Sequence, residues 1–196
     1  MAKTHSDASK KERSRTIRWV VAVFFVTLVV SGMISLISDE VMASSGLLAA
    51  FAILLGIVFW GIIFDIIGMA VATASEKPFH SMAARKVPGA REAISLLRSA
   101  ERVSSICNDV VGDICGVVSG SASATIASQI LTHFTFSWPQ VVSLVMSALV
   151  AALTVGGKAI GKTFAIRSCT AIVHGVGKLI YTWNHFRALF RKKKES

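Results

Sequence analysis

The chain has 196 residues, 53% of them hydrophobic and only 16% charged, with a mean hydropathy of +0.63. A soluble domain of this size carries about 25% charge, so the composition argues against a soluble enzyme with a water-facing surface and for a membrane protein. The 21 Lys and Arg against 11 Asp and Glu give a formal charge of +10. These basic residues fall in three blocks between apolar stretches, with no interleaved aromatics, so no nucleic-acid partner is expected.

In chain order, a basic N-terminal segment (1–16) precedes a first apolar stretch at 17–37. A hydrocarbon core of about 30 Å needs about 20 apolar residues as a helix, and this stretch qualifies. It is longer than the core of a signal peptide, although Val41-Met42-Ala43 has the look of a cleavage site. A second apolar stretch follows at 47–72. Residues 78–102 then read as a two-piece amphipathic belt. Pro78 suits a helix first turn, Phe79, Met82 and Ala83 share a face, Pro88-Gly89 breaks the run, and Ile94 and Leu97 begin the second piece.

The third and fourth stretches lie at 103–130 and 138–160, and Gly156-Gly157 is expected to loosen the last helix before Lys158. From 166 to 196, Ile172, Val176, Leu179, Trp183, Phe186 and Phe190 recur at helical spacing, with Lys178, Arg187, Arg191 and Lys194 largely opposite. That is the pattern of a helix lying along a membrane surface. Its Arg191-Lys192-Lys193-Lys194 run favours anionic lipid headgroups. Every Lys and Arg lies before or at the very start of the first stretch (Arg18), between the second and third, or at and beyond the end of the fourth. By the positive-inside rule both termini are cytoplasmic. The expected architecture is an all-α membrane protein with four transmembrane helices and amphipathic juxtamembrane helices on the cytoplasmic side.

Three carboxylates fall inside these stretches: Asp65, Asp109 and Asp113. An aspartate at the bilayer centre costs roughly 2.5–3.5 kcal/mol on insertion scales, so protonation, a basic partner, water or a cation must offset each one. At 1.5 Å rise per residue they lie at depths of about 10, 9 and 15 Å, in the same half of the membrane. Asp109, Asp113, Gly116 and Gly120 share a helical stripe with Gly112 beside it, and Gly61, Asp65, Gly68 and Ala72 share another. Small residues at four-residue spacing let helices approach closely, so the acids are expected to face protein.

Clustered carboxylates with Asn108 and Ser105 nearby suit a hard cation such as magnesium or calcium. Sodium or a proton fits the same oxygens, and a structural polar network with protonated aspartates is the alternative. Lys158 can either snorkel to the headgroups or pair with Asp65 or Asp109. No HExxH, GxSxG, P-loop or GxGxxG occurs, and Cys107, Cys115 and Cys169 have no metal-ligand spacing, so no catalytic site is expected.

From about residue 62 to 190, the order of features resembles the transmembrane module of the CNNM/CorB/CorC magnesium transporters. Gly157-Lys158-Ala159-Ile160-Gly161-Lys162-Thr163-Phe164-Ala165 is similar to the family's Gly-Glu-x-x-Pro-Lys-x-x-Ala, with Lys158 for the Glu and Gly161 for the Pro. Asp65-Ile66-Ile67-Gly68-Met69-Ala70 falls where the family has Ser-Gly-x-Glu-x-Ala, and Gly112-Asp113 where it has Gly-Asn-Asn. The resemblance makes 47–165 the module and 17–37 an added helix, and leaves no room for the family's nucleotide-sensing CBS pair. It implies a homodimer in the plasma membrane that transports Mg2+, with Na+ as a coupling ion. Asp65, Asp109, Asp113, Asn108 and Ser105 would then be the metal ligands, Lys158 the charge-pairing residue, and Gly61, Gly68, Gly112, Gly116 and Gly120 the packing positions.

Overall fold

The computed structural model describes the backbone of residues 2–133 and 138–194, and side chains from Ile17 to Arg187 apart from Ala43 and 134–137. The side chains of the basic N-terminal segment, Phe190 and the Arg191–Lys194 run lie outside the described residues. The chain is all α, with no strand among the described residues. It runs α1 (Ala2–Ser44), α2 (Leu47–Thr73), α3 (Lys77–Ala84), α4 (Ala90–Arg98), α5 (Ala100–Ser105), a π-helical segment (Ile106–Gly112), α6 (Asp113–His133), α7 (Pro139–Arg167) and α8 (Cys169–Lys194). Four continuous helical stretches are long and apolar enough to cross a membrane: Ile17–Met42, Leu47–Thr73, Ala100–His133 and Pro139–Arg167. This is a protein with the build of a four-span membrane protein.

Two boundaries differ from the sequence reading, for reasons visible in the chain. The first helix does not stop at residue 37 but continues to Ser44. No Gly or Pro intervenes before Gly46, and the polar groups of this last turn find partners on α6. Thr125 Oγ1 donates to Asp39 Oδ1 at 3.3 Å, and Gln129 Nε2 donates to the Met42 carbonyl at 2.7 Å. Asp39, beyond the 17–37 stretch, is therefore part of the helix. With the Ser35–Ser121 hydroxyl contact at 3.0 Å, these pairs, 86, 86 and 87 residues apart, show α1 lying parallel to α6.

The fourth helix likewise runs unbroken through Gly156-Gly157 to Arg167. The glycines were expected to loosen it; one of them instead brings it closer to α2. A Cβ at Gly157 would collide with Ile62 Cδ1, and one at Gly161 would lie 2.8 Å from Ile66 Cγ1. The absent side chains are what let the backbones meet.

The belt has the expected two pieces, with residues 100–102 belonging instead to the third long helix. Pro78 lies in the first turn of α3, and Gly89 caps α4 at φ +85°, a left-handed conformation open to glycine. The same glycine meets α8: a Cβ there would lie 2.5 Å from the Lys178 backbone nitrogen. His174 Nε2 is 3.2 Å from the Pro88 carbonyl. Against α4 and α2, the first half of α8 buries Val173 and Gly177, whereas Leu179, Trp183 and Phe186 of the expected stripe are exposed. The apolar period is thus split between protein contact and an outward face.

Two apolar clusters hold the molecule. One, at the end away from the belt, joins Met42, Leu54, Val58, Ile126, Met146 and Val150. The other, at the belt end, joins Ala70, Val71, Phe79, Leu97, Ala165 and Val173. Between them on α2 lies Asp65.

Candidate functional site: a buried aspartate between two lysines

Asp65 sits in the middle of the buried stripe of α2, with Gly61 and Gly68 a turn away on either side. Each glycine admits a neighbour from the third long helix. A Cβ at Gly61 would lie 2.8 Å from Cys115 Cβ, and one at Gly68 would overlap the Asn108 amide. The small-residue stripe of α2 faces protein as expected, apart from Ala72, which is exposed.

The partner stripe does not. Asp109 and Asp113 are both exposed on the outer surface of the third helix, as is Gly120. Their stripe stands one position round from the face that meets α2, on which Asn108, Gly112 and Cys115 oppose Gly68, Asp65 and Gly61; Ile106–Gly112 is π-helical. A Cβ on Gly112 would lie 3.4 Å from Lys158 Nζ and 3.6 Å from Asp65 Oδ1. Gly116 and Gly120, expected as packing positions, have no neighbouring atom within 4 Å of such a Cβ. Ser105 Oγ donates to Asp109 Oδ2 at 2.6 Å, so these two pair with each other. Asp113 has no hydrogen bond or ion pair among the described residues.

The partners Asp65 does have are cationic. Lys158 Nζ lies 3.9 Å from Asp65 Oδ1 and donates to the Gly112 carbonyl at 3.3 Å, and Lys162 Nζ lies 4.0 Å from Asp65 Oδ2. Lys158 therefore turns inward. Its side chain is 20% exposed and that of Lys162 48%, against 6% for the aspartate. In the sequence Lys162 stands out only as part of the motif after the fourth stretch. Its spacing of four residues from Lys158 is the signal that both lie on one face of a helix.

Two buried oxygens at this level lack hydrogen-bond donors: Asp65 Oδ2 and Asn108 Oδ1. Asn108 Nδ2 reaches Ser104 Oγ at 3.4 Å. Of the five expected metal ligands, the fold brings Asp65 and Asn108 towards one layer, leaves Asp109 and Asp113 exposed, and holds the half-buried Ser105 to Asp109. Among the described residues no three His, Cys, Asp or Glu side chains converge on a point that could hold a metal ion. No family model, curated protein or solved structure matches the chain.

Proposed function

We propose that the chain is a multi-pass accessory or scaffold membrane protein, in which Asp65, Lys158 and Lys162 fix the register of three helices. The observation carrying this reading is the placement of two ammonium groups about one buried carboxylate. One carboxylate facing two ammoniums leaves a formal local excess of positive charge, which repels a divalent cation. A cation would have to displace both lysines before it gained a single carboxylate. A network whose Lys158 also bonds the π-helical backbone of the neighbouring helix suits a locating role.

The second reading, transport of Mg2+ with or without Na+, draws support from the donor-less oxygens of Asp65 and Asn108. Hard cations take such oxygens. Thermal stability of the detergent-purified chain, titrated with Mg2+, Ca2+, Mn2+ and Na+, separates the two. A ligand specific for the folded state stabilises by about 2.7 kcal/mol at 100 times its Kd. The scaffold reading expects no shift with any ion at millimolar concentrations, and a lower folded yield for Lys158→Ala. A Mg2+-dependent rise that disappears in Asp65→Asn would overturn it in favour of the second reading.

We place the belt end at the cytoplasmic face of the plasma membrane, supported by the distribution of Lys and Arg. The exposed Leu179, Trp183 and Phe186 of α8 then lie at the lipid headgroups.

A further inference from the structure

The outward face of α6 and α7 carries a charge that the chain itself leaves without a counter-charge. Asp113 is exposed in the third candidate span and makes no hydrogen bond or ion pair among the described residues. Its depth follows from its neighbour. The Gly112 carbonyl accepts from Lys158, which also faces Asp65, so Asp113 stands in the Asp65 layer, well inside its span. Ionisable groups at such depth pair with one another or face protein or water, because hydrocarbon cannot solvate them. The chain holds no spare cation at this level. Lys158 and Lys162 are both committed to Asp65, and Arg18, Arg102 and Arg167 lie at the belt-side ends of their spans. A second copy brings the same shortage, so a counter-charge for Asp113 has to come from a different chain.

Beside Asp113 the surface has the shape to receive a helix. Gly116 and Gly120 follow it on one helical stripe. Both line a groove of 210 Å3 between α6 and α7, together with Ser119, Ser123, Ser147 and Thr154. A Cβ at either glycine meets no atom within 4 Å, so the space is open up to the backbone, as close helix approach requires. The groove is also partly polar. Ser119, Ser123 and Thr154 donate their hydroxyl protons to carbonyls of their own helices, which leaves their oxygens free to accept. An acyl chain would fill the space and leave those oxygens and the carboxylate without donors. A helix carrying an ammonium or guanidinium group supplies donors and charge together.

We infer that the α6/α7 face docks a transmembrane helix of another membrane protein, with a Lys or Arg of that helix beside Asp113 and its apolar side chains in the groove. This rests on the accessory reading above and specifies the partner that such a protein holds.

The probe is a synthetic transmembrane peptide of about 20 Leu and Ala residues with Lys at its centre, beside matched peptides with Leu or Glu there. Energy transfer from the labelled full chain to each labelled peptide is measured in lipid vesicles, with a chelator and no divalent cation. The Lys peptide binds about tenfold more tightly than the Leu peptide, and the Glu peptide no more tightly than the Leu peptide. Asp113→Asn, an exposed change with no partner to lose, brings the Lys peptide down to the level of the Leu peptide. Gly116→Leu/Gly120→Leu fills the groove and weakens both. Gly56→Leu, at an equally open position on α2, weakens neither. Equal binding of the Lys and Leu peptides, or a Lys preference that survives Asp113→Asn, overturns the proposal. So does energy transfer between two copies of the chain that the Lys peptide fails to displace and the groove variant loses, since the occupant would then be a second copy. The two readings fail separately. A Mg2+-dependent rise in stability that disappears in Asp65→Asn removes the accessory role, whereas the peptide comparison, run without divalent cations, reports on Asp113 alone.

Discussion

Asp65 illustrates how a costly residue becomes a fixed one. Its carboxylate is withdrawn from both water and lipid between two apolar clusters, and Lys158 and Lys162 offset the cost without any short hydrogen bond. Ion pairs in such surroundings contribute little net stability, yet breaking one leaves an uncompensated charge, at about 3–5 kcal/mol. We therefore expect Asp65→Leu to destabilise the folded chain by about 3 kcal/mol. Lys158→Met should cost less, because Lys162 still faces the carboxylate. Asp65→Leu/Lys158→Met should recover much of the loss, a coupling that a double-mutant cycle of unfolding in mixed micelles measures directly. A double variant as unstable as the sum of the singles would show that the two side chains do not act on each other. The aspartate's burial was legible from its place among Gly61 and Gly68, since a small-residue stripe in an apolar helix announces packing. Its partners were not. Lys158 had two physically reasonable destinations, and only the approach of α7 to α2 decides between snorkelling and pairing.

Among the elements, α7 and the third long helix show where periodic patterns stop being sufficient. Length and hydropathy locate all four long helices, because a run of about 20 apolar residues has few other uses. The same information misplaces the Asp109–Asp113 stripe. The stripe does hold together, but it stands one position round from the face that meets α2, on which Asn108, Gly112 and Cys115 oppose Gly68, Asp65 and Gly61. Gly156-Gly157 misleads in the opposite direction, since a pair of glycines reads as a weak point until the neighbouring helix is present. Their roles differ and can be separated. Gly157 is pressed against Ile62, whereas a Cβ on Gly156 meets no atom within 4 Å. Overfilling a packed contact costs about 1–3 kcal/mol, while replacing an exposed helical Gly by Ala gains up to about 1 kcal/mol. Thermal melts of the purified variants should accordingly show Gly157→Ala below wild type and Gly156→Ala at or above it. Equal effects at both positions would mean that the tip of the Ile62 side chain turns aside to admit the methyl group.

At the scale of the whole molecule, the helices on the belt side and the connections on the other side differ in charge as well as in form. The belt end gathers α3, α4, α8 and the beginning of α1, and with them the Lys and Arg blocks. The far end holds the short turn at Ser45-Gly46, the end of α6 and the start of α7, and in the sequence neither 43–48 nor 133–139 contains Lys or Arg. Because moving basic segments across a bilayer during insertion is disfavoured, loops rich in Lys and Arg stay on the cytoplasmic side. An even number of crossings then returns the C-terminus to the side of the N-terminus. Single cysteines introduced into a variant lacking Cys107, Cys115 and Cys169 can test this in intact cells with a membrane-impermeant thiol reagent. Ser45→Cys, at the far-end turn, should be labelled without permeabilisation. Lys86→Cys, in the exposed α3–α4 turn, should be labelled only after it. The reverse pattern would invert the molecule, and labelling of both in intact cells would show that α2 does not cross. The expected pattern also fixes the level of the Asp65 layer. Eight residues before the end of α2 at Thr73, or about 12 Å at the helical rise, it would lie in the cytoplasmic half of the bilayer. There one short stretch of α7, carrying Lys158 and the half-exposed Lys162, is held to the carboxylate of its neighbour just inside the headgroup level.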